Sequence, residues 1–389
     1  TAANAQPDAL DAFRSEVQDW LAANFPASLK GKGGAMTSPY GADSAGPEGT
    51  AWRKALGGKG WGTPTWPKAY GGGGLSKAQA AILNQEMARI GAWNPIGGMG
   101  ILMFGPTLLE YGSEEQKLRH MPAICTADIR WCQGYSEPGA GSDLASLQTF
   151  AEDAGDHYIV NGQKTWTSGG QWADWCFALV RTDKSKKHEG ITFLLIDMKS
   201  PGVTVRPIIT LGGEHEVNEV WLEDVRVPIA NRIYEEDKGW TCAKFLLAHE
   251  RTGIAGIAAS KRGVEKVKEI ARTEQDGDRP LIANPFFKRK IAELEMDLTA
   301  LEFTELRSLA GENAGKGPGP ESSLLKIKGS EIQQRLTELT LEAVGHYGAP
   351  YFRGFGEGDN AHPIGPDYAH RAAPTYFNAR KTTIYGGSN

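Results

Sequence analysis

The sequence predicts an α+β fold laid out as three consecutive blocks, helical, then β, then helical again. Hydrophobic spacing of three and four residues gives way near residue 129 to short β-type runs and returns near residue 237. Helices and strands thus come in separate blocks rather than in alternation, which argues against a parallel dinucleotide-binding sheet. No G-x-G-x-x-G follows a strand and opens a helix, so a nicotinamide site is disfavoured. At 389 residues the chain exceeds the roughly 250–300 at which single cores stop growing, so several domains are expected. We place them at 1–128 (all α), 129–236 (β) and 237–389 (α).

In the first block, Leu10, Phe13, Val17, Trp20 and Leu21 recur at helical steps, as do the apolar residues of Ala78 to Ile90. Between such helices runs Gly60 to Gly74, which carries Trp61, Trp66 and Tyr70. A solvated linker rarely holds such residues, so this loop is expected to pack onto something, with aromatic plugs closing a helix bundle as the plain structural reading. In the second block Tyr158–Val160, Trp175–Arg181, Ile191–Asp197, Val203–Pro207 and Val220–Pro228 read as strands bounded by Gly, Asp, Asn and Pro. The third block is helical to about His346, with a polar interruption at Thr273 to Pro285 and a loop at Gly311 to Glu321.

The stretch from Trp131 to Gly170 organises the chain. In Ser136-Glu137-Pro138-Gly139-Ala140-Gly141-Ser142-Asp143, Pro138 removes a donor and the glycines permit backbone angles closed to other residues, which predicts a loop with free N–H groups and hydroxyls. Further on, Lys164-Thr165-Trp166-Thr167-Ser168-Gly169-Gly170 sets one aromatic plane among hydroxyls. Together the two segments suit a flat, phosphate-bearing ligand; the alternative is a glycine-rich β-hairpin edge.

The third block opens with a predicted helix from Gly239 to Ile257. On it Leu246, Leu247, Gly253, Ile254 and Ile257 share the face of Glu250, so this carboxylate projects from an apolar stripe. Desolvation there raises a carboxyl pKa towards neutrality, as an acid/base catalyst requires, while Arg251 offsets part of the shift. The alternative is a Glu250 that bends away into a structural ion pair.

Composition excludes other classes. A net charge of −5 leaves no electrostatic footprint for nucleic acid. Cys125, Cys132, Cys176 and Cys242 lack C-x-x-C spacing and sit in apolar surroundings, which predicts reduced, buried thiols and no metal site. No apolar run approaches the ~20 residues of a membrane span, and we read the protein as soluble and cytoplasmic.

Taken together, Tyr135-Ser136-Glu137-Pro138-Gly139-Ala140-Gly141-Ser142-Asp143, Asn161 to Ser168, the Gly60 to Gly74 loop and the ending Ile384-Tyr385-Gly386-Gly387-Ser388-Asn389 resemble the acyl-CoA dehydrogenase family over nearly the whole chain. The resemblance implies an N-terminal helical domain, a central β-barrel or sandwich domain and a C-terminal four-helix bundle, with FAD between the last two. It implies that Gln133, Tyr135 and Ser136 meet the flavin ring, that Trp166 lies against it, and that Ser168 bonds near N5 or the phosphates. Gly141, Ser142 and Ser388 join the cofactor set. Ser142, Arg251 and Tyr385 are expected against the acyl-CoA. Many members carry the catalytic base in a C-terminal Tyr-Glu-Gly-Thr motif, which here reads Tyr385-Gly386-Gly387-Ser388; others carry it on the helix as Glu-Arg, matching Glu250-Arg251. The implied reaction removes the α-proton with Glu250, polarises the thioester through the Gly386 N–H, and passes a β-hydride to flavin N5. Electrons then leave to an electron-transfer flavoprotein. A flavin oxidase of similar fold and a non-catalytic subunit that completes a partner's flavin site are the competing readings.

Two departures bear on assembly. The family's Arg-x-x-Phe-Gly is replaced by Arg272-Thr273-Glu274-Gln275-Asp276-Gly277-Asp278-Arg279-Pro280, and its Gln-x-x-Gly-Gly-x-Gly by Gly345-His346-Tyr347-Gly348-Ala349-Pro350-Tyr351. Both family segments reach the FAD of a neighbouring subunit. Their loss resembles the bacterial heteromeric members, in which a related dehydrogenase subunit completes an α2β2 heterotetramer acting on steroid side-chain, dicarboxylic or other bulky acyl-CoAs; an ordinary homotetramer is the alternative. The family also usually runs on beyond Ser388-Asn389.

Overall fold

Apolar residues at helical spacing fold the start of the chain against itself. In the computed structural model, which describes residues 7–31, 46–313, 321–350 and 364–389, and of residues 7–8, 248–254, 312–313 and 321–322 the backbone only, α1 (Pro7–Asn24) buries Phe13, Val17 and Leu21. These pack with Trp52 of α2 (Gly46–Gly58), with Trp61, and with Leu83 and Met87 of α3 (Lys77–Ile90). Trp61 thus acts as an aromatic plug of the bundle, its ring edge-on to Phe13 and Trp20. The helical block continues through α4 (Gly105–Tyr111) and α5 (Glu114–Cys125). Ser76 and Ser113 open α3 and α5 with capping boxes, each hydroxyl accepting an otherwise orphaned N–H.

The strands are β1 (Trp131–Gly134), β2 (Phe150–Asp153), β3 (His157–Ser168), β4 (Trp175–Arg181), β5 (Ile191–Asp197), β6 (Val203–Ile209), β7 (His215–Pro228) and β8 (Arg232–Ile233). They form one sheet in the order β6-β7-β3-β2-β4-β5-β8, with β1 added parallel to β4. β6 and β8 remain its two ends among the described residues, so the barrel in the expected barrel or sandwich is not formed. One sheet face buries Tyr158, Val160, Ala178, Val180, Leu194 and Val225. On the other, Phe177 and Phe193 stack with Phe104 at centroid separations of 5.6 and 6.4 Å, which joins the first helices to the sheet. Gln116 adds polar stitching by donating to the carbonyls of Ala230 and Arg232, both at 2.8 Å.

Contacts divide the chain into two units, Thr1–Ile208 with Glu216–Leu246, and Ile209–His215 with Leu247–Asn389. The first unit therefore holds both the helical and the β block, and the division from the second falls inside α6 (Gly239–Ile254). In the second unit α7 (Ile257–Thr273), α8 (Pro285–Asn313) and α9 (Glu321–Val344) bury Val264, Val267, Ile291, Leu294, Leu298, Ile332 and Leu339 in a common core. The polar interruption between α7 and α8 carries a two-residue ribbon of β9 (Gln275–Asp276) and β10 (Arg279–Pro280). The short α10 (Ala372–Ala379) and a following turn lie along α9. No helix among the described residues is long and apolar enough to cross a membrane.

The predicted helix from Gly239 to Ile257 is two helices. α6 ends at Ile254, and Gly256, at φ +58°, begins α7, so Ile257 does not share a helix with Glu250. A left-handed residue breaks the hydrogen-bond ladder, and glycine adopts that conformation with least cost.

Candidate functional site

The two hydroxyl-rich segments that the sequence singled out lie side by side. Thr165 N–H donates to Ser136 O at 2.9 Å, which lays the loop after β1 along the far end of β3. Beneath that contact, Lys164 is 1 % exposed and its Nζ reaches Glu137 Oε1 at 2.7 Å and Tyr135 O at 3.2 Å. The Glu137 carboxylate also accepts the N–H groups of Gln148 (2.6 Å) and Thr149 (2.9 Å). Burial pushes the Glu137 carboxyl upward, but the Lys164 charge and these hydrogen bonds outweigh it and hold it below the usual range. Burial moves Lys164 the other way, below an ordinary lysine, with Glu137 opposing the shift. The ion pair pins both segments at one point. Pattern reading missed it, although Lys164 has the same strand parity as the buried Tyr158 and Val160.

Just beyond the pin, β3 carries an extra residue. Its register against β7 runs from Lys164↔Val220 to Thr167↔Asn218, three steps on β3 against two on β7. A bulge of this kind bends the strand and re-aims a side chain. Here it turns Trp166 outward at φ +60°, leaving the indole 61 % exposed. A non-glycine residue in that region costs roughly 1–3 kcal/mol, so the surrounding contacts must hold it. Fully buried Asn218 does part of this by donating from Nδ2 to Thr167 O at 3.0 Å and to Gln171 Oε1 at 2.6 Å. Asn218 was not foreseen; its signal was a single amide inside the run Val217 to Val220.

The remaining cofactor candidates of this unit sit around the bulge. Gln133 is half-buried on β1, Tyr135 is buried, and Ser136 and Ser168 are half-buried. Gly139, Gly141 and Ser142 are exposed, and nothing lies within 4 Å of where a Cβ of Gly139 or Gly141 would stand. Two expectations about this loop are corrected. Neither Gly139 nor Gly141 has positive φ, so the glycines serve by leaving the approach open. The loop amides are also not all free, because Glu137 and Ala140 bond each other's backbone at 2.9 and 3.0 Å and tighten the turn. An outward indole plane beside an unobstructed, hydroxyl-bearing loop fits a flavin nucleotide, which needs an aromatic neighbour for its ring and small polar groups for its phosphates.

The second unit holds the other candidates. Glu250 and Arg251 belong to the backbone of α6, and their side chains lie outside the described residues. Gly386 and Gly387 adopt φ +65° and +91°, so the turn at the end of the chain favours glycine at both positions. Tyr385 and Ser388 are exposed on that turn. Lys326 and Ser330, buried on α9, hold it: Lys326 Nζ donates to Gly387 O and, at 2.7 Å, to Asn389 Oδ1, while Asn389 Nδ2 donates to Ser330 Oγ at 3.0 Å. Neither residue stood out in the sequence. Of the segments expected to reach a neighbour's cofactor, Arg272 is exposed in the last turn of α7, and Gly345, at φ +54°, closes α9. All four cysteines are buried and unpaired by disulfides.

Comparison with known proteins agrees with this arrangement. Sequence models of the acyl-CoA dehydrogenase N-terminal, middle and C-terminal domains match residues 11–128, 132–225 and 237–389. The chain is 35% identical over 387 residues to acyl-CoA dehydrogenase IpdE1 of Mycobacterium tuberculosis, covering 98% of this chain and 94% of that protein. It is 35% identical over 298 residues to acyl-CoA dehydrogenase FadE26 of the same organism, covering 75% and 74% of the two chains. Among solved structures, a chain of the ChsE4-ChsE5 complex from Mycobacterium tuberculosis superposes with a TM-score of 0.74 at 29% identity, over 100% of this chain and 96% of that one. The Tcur3481-Tcur3483 steroid ACAD superposes at 0.75 and 29% identity, over 99% and 94%. With all three domains matched in order on a fold that lays the two hydroxyl-rich segments side by side, the chain belongs to the acyl-CoA dehydrogenase family.

Proposed function

We propose that the protein carries out FAD-dependent α,β-dehydrogenation of an acyl-CoA thioester to the trans-2-enoyl-CoA, with Glu250 as the α-proton base. The observation that carries the reading is the bulge-borne, outward Trp166 beside the signature loop, which would form the flavin-side wall. FAD, when bound, supplies the acceptor for the β-hydride at N5. Every other part of the chemistry falls to the chain. Gln133, Tyr135 and Ser136 would face the ring edge, Trp166 its plane, and Ser168 the N5 side or the phosphates. Gly141, Ser142 and Ser388 would take the remaining polar contacts of cofactor and CoA. Arg251 and Tyr385 would line the acyl-CoA.

The Gly386 N–H would donate to the thioester oxygen and share the charge that develops there as Cα loses its proton, a contribution that grows in the transition state. Glu250 would take that proton. The left-handed turn at Gly386 and Gly387 has no carboxylate of its own, which supports the helix-borne Glu250 as the base. Because a solved steroid ACAD is 29% identical over 99% of this chain, we assign the substrate to the steroid-derived, bulky acyl-CoAs. We assign the protein to a heteromer with a related chain and place an electron-transfer flavoprotein downstream.

The test is flavin bleaching by a panel of CoA thioesters of short, long and steroid acids. Glu250→Gln should retain FAD but slow bleaching by about 10²–10⁴-fold, since the change removes only the basic oxygen. Reduction at the wild-type rate would remove Glu250 from the mechanism.

A further inference from the structure

One face of α9 touches both chain segments that the reaction needs from the second unit. Lys326, Gly329, Ser330, Gln333 and Gln334 recur at three- and four-residue steps, so they share that face. Lys326 and Ser330 hold the glycine turn through Gly387 O and Asn389. Gln334 donates to Ala379 O and Arg380 O, both at 3.2 Å, and Arg380 returns bonds to Gln334 O and Thr337 Oγ1, both at 3.0 Å. Those contacts fix the approach to the turn.

The same face meets the other segment one helical turn away. Gly329 packs so closely on the joint between α6 and α7 that an added Cβ would come within 2.7 Å of Ala255 Cα. Gln333 Nε2 donates to Ala255 O at 3.4 Å. Ala255 is fully buried and lies five positions after Glu250 on the chain, at the break that ends α6. A single rigid element therefore sets the end of the base-bearing helix and the thioester turn against a common ruler.

Lys326 is 3 % exposed, and on the turn it reaches the carbonyl of Gly387 and the amide oxygen of Asn389. An ammonium in that place also polarises the peptide units it touches. Donation to Gly387 O holds the Gly387–Ser388 peptide and so restrains the short turn that carries the Gly386 N–H.

We infer that Lys326, with Ser330, is a positioning residue that sets the Gly386 N–H for the thioester oxygen. The inference rests on the dehydrogenase reading. Its first readout does not need the reaction: backbone amide exchange in the peptide Ile384–Asn389 of the full chain. Lys326→Met should speed that exchange by about tenfold or more, while peptides of the α7 and α8 core keep their protection. Lys326→Arg, which keeps a cation of similar reach, should restore part of it.

The second readout uses octanoyl-CoA and a CoA thioester of a steroid side-chain acid. With whichever of the two bleaches the wild-type flavin, Lys326→Met should lower kcat by about ten- to a hundredfold with little change in KM, because a misaimed donor is felt when charge develops. Should Lys326→Met fold poorly, Ser330→Ala is expected to show the same pattern at smaller size. A wild-type protein bleached by no thioester would overturn the dehydrogenase reading and leave the exchange result to judge the turn. Wild-type exchange at Ile384–Asn389 in the Lys326→Met protein, or a lowered melting temperature with kcat intact, would overturn the positioning role.

Discussion

The two members of the Lys164–Glu137 pair are not equivalent, because only the carboxylate has other donors to fall back on. Without Lys164, Glu137 keeps the N–H groups of Gln148 and Thr149; without Glu137, the Lys164 ammonium keeps a single carbonyl, Tyr135 O. Breaking a buried pair costs roughly 3–5 kcal/mol when the charge left behind is uncompensated. Glu137→Gln should therefore destabilise more than Lys164→Met, as read by melting temperature and urea midpoint. The pH dependence has a definite sign. A lysine whose folded pKa lies below its unfolded value of about 10.4 costs stability below that pH, and the cost fades as pH rises towards it. The deficit of Glu137→Gln should shrink between neutral pH and about pH 10, whereas a pH-independent deficit would mean that Lys164 has found another anion. Strand runs and hydroxyl-rich segments were readable from sequence because they are local patterns. The ion pair was not, since it joins residues 27 positions apart. Sequence logic also placed the unusual backbone at Gly139 and Gly141, whereas the structure puts it at Trp166, where a bulge overrides residue preference.

Helices α3 and α5 start with the same device but differ in what else it does. In both, a Gln side-chain oxygen accepts the N-cap N–H, from Ser76 to Gln79 and from Ser113 to Gln116, each at 3.0 Å. The Gln116 amide group additionally donates to Ala230 O and Arg232 O, which ties α5 to the approach of β8. A glutamate at either position keeps the cap and adds a charge that suits a helix N-terminus. Gln79→Glu should accordingly leave stability within about 0.5 kcal/mol of wild type. Gln116→Glu should cost about 1–3 kcal/mol, because two carbonyls in a mostly buried place lose their donor to a carboxylate. Equal melting temperatures for the two variants would show that the Ala230 and Arg232 contacts contribute nothing. The second duty of Gln116 is not legible in the sequence, as its partners lie 114 and 116 residues away. Likewise the apolar stripe that runs through Glu250 read as one helix to Ile257, and only the left-handed Gly256 shows where one helix stops and the next begins.

At the scale of the whole molecule, the first unit carries the outward Trp166 beside the hydroxyl-rich loop, while in the second unit the two segments through which the family reaches a neighbour's cofactor are altered. The Arg272 segment ends α7 and runs into a short exposed ribbon without the family's Phe-Gly, and Gly345 is committed to closing α9 in a left-handed conformation that disfavours a glutamine. A charge-assisted hydrogen bond to a pyrophosphate is worth roughly 1.5–3 kcal/mol, so loss of such contacts weakens FAD binding by an order of magnitude or more each. α8 also presents Met296, Phe303 and Leu306, each more than half exposed and spaced at helical steps, a stripe of the kind that assembly covers. Expression of this chain alone should yield protein with well under one FAD per chain. Co-expression with a related dehydrogenase chain that retains both segments should yield an α2β2 assembly with tightly held flavin, since a ligand bound at a shared site stabilises the assembly that binds it. Flavin absorbance per chain, with mass from light scattering, decides the matter. A lone chain that purifies as a homotetramer with one FAD per subunit would show that Arg272, Arg279 or Lys288 has taken over the phosphate contact, and the heteromer would be excluded.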